Sequence, residues 1–321
     1  MCTMLVYTLL VSSAAHAEPP TDAMAGFGAL ENDSPGTNNS THYLVSNERR
    51  PDLFYRHVTA EGAGRGGVYL GVGAEQNYIL AAWARSEIIV LMDFDPVIVD
   101  LHAVHRAAFL TAVNPAGFVA FWTGSADIVR AALAQHVSDS AARKRALAAY
   151  ELARESVGAR LKEWSARSPG GKPTFLTDSK QYEFLVDRFR SGRVVATQGD
   201  LTGARAMASI ARAIQKSGFA LRVLYLSNAE QYFMFKAGYR RNILALPFDK
   251  KSLVLRTLPG RPRGFEYIVQ SGENLHAWMG SRKTNSVYRI RGLNRGEHLI
   301  GETFYEVTRL PPTPLFARPR R

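Results

Sequence analysis

Cysteine is nearly missing from these 321 residues: the single example is Cys2. A chain trimmed at its N-terminus would hold none, which excludes disulfides and thiolate catalysis. Such a chain suits an oxidising compartment without requiring one. Beyond the N-terminal segment there is no apolar run long enough to cross a membrane. RNA- and DNA-binding motifs are missing as well. The net charge of +12 is scattered, clustering only at Arg240 and Arg241 and at residues 317–321. A generic basic surface accounts for it, so a small molecule is the expected partner rather than nucleic acid.

Residues 1–17 contain neither Lys nor Arg, yet they otherwise read as a secretory signal. Leu5 to Ser13 is apolar, and Ala15, His16 and Ala17 form a small-x-small cleavage site before Glu18. Cleavage there implies an exported chain, periplasmic or secreted. If the segment is no signal, the chain is cytoplasmic. Residues 18–48 are rich in Pro, Gly, Asn, Ser and Thr and read as a flexible leader. Residues 49–321 then form a single domain.

That domain is organised around residues 66–109. Val68 to Leu70 reads as a buried strand and Gly71 to Gly73 as a turn. Tyr78, Ile79, Ala82 and Trp83 follow at helical spacing. Ile88 to Met92 is a short continuous apolar run, as in a strand buried on both faces. It ends in Asp93 and Asp95, and Pro96 opens the next helix with Asp95 as its cap. Strand, glycine turn, helix, strand and acid make half of a nucleotide-binding βαβ unit. Helices are expected within an insertion at 118–167, placed over the carboxyl edge of the sheet as a cap. Further strands are expected at 193–196, 221–226 and 252–255, with a helix at 230–237. Closing strands are expected within 265–310, at 267–270, 287–291 and 303–308. The fold class is therefore α/β: a Rossmann-like, mainly parallel sheet with helices on both faces, a helical insertion and C-terminal antiparallel strands.

Ligands of such sheets bind beyond the carboxyl ends of the strands. The candidates there are Gly71 and Gly73, whose turn admits close backbone approach or serves only as a tight turn. Asp93 lies about 20 residues further on, where an acid accepts both hydroxyls of a ribose. Asp95 is better explained as a helix cap. Asp200 either meets a ligand or caps the following helix. Asn228 either positions a reacting group or stabilises its own turn. Ser227 has no His and acid partners at recognisable spacing. His102 and His105 share a helix face, but packed or solvated histidines explain them better than a metal site.

MDFDPVIVDLH (92–102) and GDLTG (199–203) resemble the second- and third-strand acids of the class I S-adenosylmethionine methyltransferase fold, with aminopropyltransferases as relatives. More closely, GVGAEQNY (71–78), DFDP (93–96), GDL (199–201) and YLSNAEQY (225–232) resemble an uncharacterised bacterial family of this fold. The resemblance covers about residues 64–258. It implies S-adenosylmethionine as cofactor, with Asp93 at the ribose, Asp200 at the adenine and Asn228 near the acceptor. The sequence departs from the methyltransferase pattern at Tyr69, where an acid is usual, and at Glu75, where a third glycine is usual. Glu75 would oppose the carboxylate of the methionine moiety unless it points away.

Two readings follow. One is an exported ligand-binding protein that keeps the fold in degenerate or non-canonical form. The other is an S-adenosylmethionine-dependent methyltransferase or related group transferase acting on a small molecule. The signal-like N-terminus favours the first, because S-adenosylmethionine is made in the cytosol. If residues 1–17 direct export, the intact mass of protein from its native host should correspond to a chain starting at Glu18. A cytosolic product that retains Met1 would contradict export.

Overall fold

The computed structural model describes residues 23–34, 41–62, 64–260, 264–299 and 301–312. The signal-like segment and residues 317–321 lie outside them. In chain order the main elements are α1 (Tyr55–Thr59), β1 (Val68–Val72), α2 (Gln76–Ala84), β2 (Ile88–Asp93) and α3 (Pro96–Thr111). Then come α4 (Pro115–Thr123), α5 (Ala126–His136), α6 (Ser140–Ala166), α7 (Ser179–Arg190), β3 (Val194–Gln198) and α8 (Ala206–Ser217). The rest are β4 (Leu221–Tyr225), α9 (Ala237–Leu244), β5 (Leu253–Pro259), β6 (Phe265–Ser271), α10 (Gly272–Gly280), α11 (Val287–Gly292), β7 (Gly296–Leu299) and β8 (Glu302–Val307).

Eight strands form one sheet in the order β3-β2-β1-β4-β5-β6-β8-β7. The five strands from β3 to β5 are parallel. β6 returns antiparallel to β5, β8 runs parallel to β6, and β7 is antiparallel to β8. This is the Rossmann-like α/β architecture with an antiparallel C-terminal element. β1 has β2 on one side and β4 on the other, so the chain reverses its direction of travel across the sheet there. A crevice opens at such a switch point.

Side-chain alternation on the central strands feeds two cores. Tyr69, Ile89, Leu91, Val223 and Tyr225 point into one, under α2 to α7. Val68, Leu70, Val90, Met92 and Leu224 point into the other, under α8 to α11. β2 is buried along its whole length, as its unbroken apolar run requires. Asp95 caps α3 by accepting Val97 N–H at 2.9 Å, and Pro96 takes the first helical position, where no N–H is needed. Asp139 caps the 27-residue α6 in the same way.

Three expectations are corrected. Residues 287–291 form a helix, not a strand: Val287 and Ile290 are its buried residues, three apart on one face. The helix expected at 230–237 is a single 3-10 turn at Ala229–Tyr232, followed by extended chain. There Phe233 and Phe235 pack on Tyr239 of α9. The helices of 118–167 form, but they stack on the outer side of α3 and belong to the first core. None of their residues lines the crevice. Residues 41–47 cover it instead.

Gly71 lies within β1. A Cβ there would collide with Asn77 Oδ1 and sit 2.6 Å from Tyr69 Cε1. Gly71→Ala should therefore destabilise the protein by about 1–3 kcal/mol, the usual range for overpacking. Urea unfolding measures this, and an unchanged midpoint would contradict the packing role.

Candidate functional site

At the carboxyl ends of β1, β2, β3 and β4 lies a cleft of about 500 Å³. Gly73, Asp93, Asp200 and Asn228 all line it, so four of the five expected ligand contacts converge, Gly71 being the fifth. Gly71 does not reach it. Its lack of a side chain lets Asn77 fold back against β1.

The turn after β1 is held from behind. Asn77 Nδ2 donates to the carbonyls of Val72, Gly73 and Ala74 at 3.2, 2.9 and 2.9 Å, and Asn77 Oδ1 accepts the Tyr69 hydroxyl at 2.8 Å. His102 Nε2 adds a bond to the Gly73 carbonyl at 3.0 Å, while its Nδ1 meets the Tyr78 hydroxyl at 2.8 Å. Burial lowers His102 to about 4. The neutral ring thus donates from Nε2 and accepts at Nδ1. His105 is packed among Tyr78, Phe118 and Trp122, with its pKa pushed well down by burial. Both histidines brace the wall rather than face the cleft. Gly73 adopts φ 94°, where a side chain would be strained, and open space lies on its free side.

Asp93 ends β2 with 9 % exposure. Burial raises its pKa to about 6, opposed by backbone N–H groups of Asp95, Gly73 and Phe94. Asp95 turns away: one oxygen caps α3 and the other meets His42 Nδ1 at 2.7 Å. Asp200 is exposed and accepts the amide and hydroxyl of Thr202 at 2.7 and 2.9 Å. It does not cap α8. That task falls to Asp33, which accepts N–H groups of Asp200, Arg205 and Ala206 at 3.1, 3.0 and 3.4 Å. Glu75 also points away from the cleft. It is buried, 3.3 Å from Arg160, and accepts the Ser46 amide at 3.2 Å. Burial raises its pKa and Arg160 opposes the rise.

The fourth strand end is strained. Ser227 has φ 47°, costly for a residue with a Cβ, and its hydroxyl donates to Glu48 at 2.7 Å. Asn228 follows at the rim, making no side-chain cap to the turn behind it.

Residues 41–47 fall in the stretch that the sequence reads as a flexible leader, yet the structure sets them at the cleft. Thr41, Tyr43, Val45, Ser46 and Asn47 form one wall. Their composition reads as leader, but the apolar run Tyr43, Leu44 and Val45 breaks the polar stretch and is the usable signal. The lining holds three aspartates and, among the described residues, no Lys, Arg or His, in a chain of net charge +12.

The raised pKa of Asp93 has a signed consequence. From an Asp's ordinary 3.8 up to about 6, the folded chain keeps a proton that the unfolded chain has lost. Its contribution to stability is present at low pH and falls as pH rises through that window. Asp93→Asn should therefore be more stable than the parent at pH 7, by up to about 3 kcal/mol, and the gap should close near pH 4. Asp95→Ala should instead lose about 1 kcal/mol with its cap. Denaturant titrations at both pH values read this out, and an Asp93→Asn protein less stable at pH 7 would contradict the account.

Three comparisons bear on identity. No curated protein matches the sequence. Among solved structures, the rRNA methyltransferase aviRa from Streptomyces viridochromogenes is 18 % identical, covering 65 % of this chain and 74 % of that one at a TM-score of 0.29. So low a score leaves the fold assignment resting on the strand order given above. The model of one family, described as "Domain of unknown function (DUF7790)", matches residues 43–298, which takes in nearly all of the cleft and most of the segment that covers it. The chain belongs to that family.

Proposed function

We propose that the cleft binds a phosphate-free nucleoside of neutral or positive charge, and that the chain is a ligand-binding protein built on a methyltransferase-like fold. The charge of the lining carries this reading: Asp93 and Asp200, a third aspartate, Asp95, turned to α3 and His42, and, among the described residues, no lining cation. ATP and dinucleotides would bring phosphates against Asp93 and Asp200 with nothing to neutralise them. The N-terminus of α2 gives little help to an anion, because the buried Glu75 carboxylate already takes its own amide and that of Ser46. S-adenosylmethionine belongs to the accepted class, since its sulfonium and ammonium outweigh its one carboxylate. Asp93 would receive the ribose hydroxyls, Asp200 the adenine edge, and Gly73 the close approach of the ligand.

Export is part of this reading and rests on residues 1–17. The second reading, methyl or other group transfer, is favoured by the position of Asn228. It lines the cleft at the end of β4, where it would position an acceptor.

Titration calorimetry with adenosine, S-adenosylmethionine, ATP and NAD tests the proposal. The first two should bind and the last two should not. Asp93→Asn should weaken adenosine about tenfold to over a hundredfold, the equivalent of one charge-assisted contact. Binding of ATP as tight as that of adenosine, or no nucleoside binding at millimolar concentration, would overturn it.

A further inference from the structure

Residues 32–33 and 42–48 together touch the carboxyl end of every parallel strand. At the end of β3, Asn32 Oδ1 accepts the Gln198 amide at 3.1 Å, and the Asp33 amide donates to the Gln198 carbonyl at 3.1 Å. Just past β2, His42 Nδ1 meets Asp95 Oδ2 at 2.7 Å. Where β1 turns into α2, the Ser46 amide donates to Glu75 at 3.2 Å. Past β4 and within β5, the Ser227 and Thr257 hydroxyls donate to Glu48 Oε1 at 2.7 and 2.5 Å. That sequence of contacts, β3, β2, β1, β4 and β5, is the order of the strands across the sheet. The chain crosses the carboxyl edge strand by strand, and residues 41–47 form one wall of the cleft there.

Residues 41–48 are held differently from the strands beneath them. They form neither helix nor strand. Thr41, Tyr43 and Asn47 are exposed, Leu44 and Val45 are half-buried, and only Glu48 is buried. Side chains rather than a backbone ladder secure them: Glu75 takes the Ser46 amide, and Arg160 donates to the Ser46 carbonyl at 3.0 Å. β1 and β2 below are paired along their length and almost wholly buried. Segments with few buried apolar contacts open at far lower cost than buried strands. The contacts beyond this segment are firmer. The Arg50 amide donates to the Tyr267 hydroxyl at 2.9 Å, and Phe54 is fully buried. Asp95 holds the Val97 amide through the oxygen that His42 does not use, so losing His42 leaves the cap of α3 in place.

We propose that residues 41–48 are a gate. They lift off the strand ends together while the sheet stays folded, and the cleft exchanges its contents in that open state. The contacts that part are those of His42 with Asp95, of Ser46 with Glu75 and Arg160, and of Glu48 with Ser227 and Thr257. The gate governs how the cleft is reached, whichever ligand the cleft takes.

Its test uses the full chain and needs no ligand. The only cysteine is Cys2, so Cys2→Ser leaves a chain without thiols. Ala74→Cys then places one thiol beside Glu75, at a position that lines the cleft with 4 % exposure. The rate of its reaction with a water-soluble aromatic disulfide reads access to the cleft. Hydrogen exchange of the Ser46 amide reads opening of the segment. Ser46 should exchange about tenfold or more faster than Val90 of β2, which is released only when the sheet unfolds. His42→Ala should speed both the thiol reaction and Ser46 exchange by one common factor, about twofold to tenfold, as one hydrogen bond dictates. A thiol that reacts as fast as in urea-unfolded chain, unaffected by His42→Ala, would mean an open cleft and overturn the gate. Ser46 exchange no faster than that of Val90 would overturn it too. If Ala74→Cys does not fold, Val72→Cys, which lines the same cleft and changes the volume little, takes its place. Failure of adenosine to bind would remove the proposed function and leave both readouts intact.

Discussion

A single carboxamide, that of Asn77, holds the turn on which the cleft is built. When β1 ends, the carbonyls of Val72, Gly73 and Ala74 no longer point at a strand partner, and buried carbonyls need donors. Asn77 supplies one amide to all three and takes the Tyr69 hydroxyl on its other side. That arrangement fixes neighbouring choices. Gly71 must lack a Cβ for Asn77 to approach. His102 must carry a proton on Nε2 to add its own N–H to Gly73. Gln76, one residue earlier, is then set at the first turn of a fully buried helix, where its Nε2 donates to the Tyr225 hydroxyl.

Charge is sorted as firmly as packing. The surface is basic while the cleft is acidic, and most buried acids just behind it have their own arginine. Glu75 illustrates the logic. At the start of α2 a carboxylate stabilises the helix, and Arg160 from α6 makes its burial tolerable. The long helix of the insertion therefore reaches the site electrostatically from behind, without entering it. Asp93 has only backbone N–H groups to offset burial, which is why its proton is held to about 6.

Much of the fold was legible because its signals are local. An unbroken apolar run marked β2, and the Asp95–Pro96 pair marked the start of α3 to the residue. The strand ends then gathered Gly73, Asp93, Asp200 and Asn228 into one cleft, since parallel strands present their carboxyl ends on a common edge. The failures were non-local. Val287 to Arg291 alternates in sequence like a strand, and only its packing partners select the helix. Asp200 looked like a cap for α8, but Asp33, more than 160 residues earlier in the chain, performs that role. Glu48 and Ser46 sit in a segment whose composition says leader, and their meaning comes from contacts to Ser227, Thr257 and Glu75.

That last segment changes what kind of site this is. Residues 41–48 are fastened largely by polar contacts: His42 to Asp95, Ser46 to Glu75 and Arg160, and Glu48 to Ser227 and Thr257. Apolar contacts from Leu44 and Val45 to the first core add to them. Nearly every polar anchor is a group at, or directly behind, the strand ends that form the cleft. The same hydrogen bonds that hold the covering segment also orient the Ser46 and Ser227 side chains at the cleft. Moving the segment would therefore expose the cleft and, in the same step, part Glu48 from the Ser227 and Thr257 hydroxyls. Cover and cleft wall are one network. The family match beginning at residue 43 includes nearly all of that network within the domain.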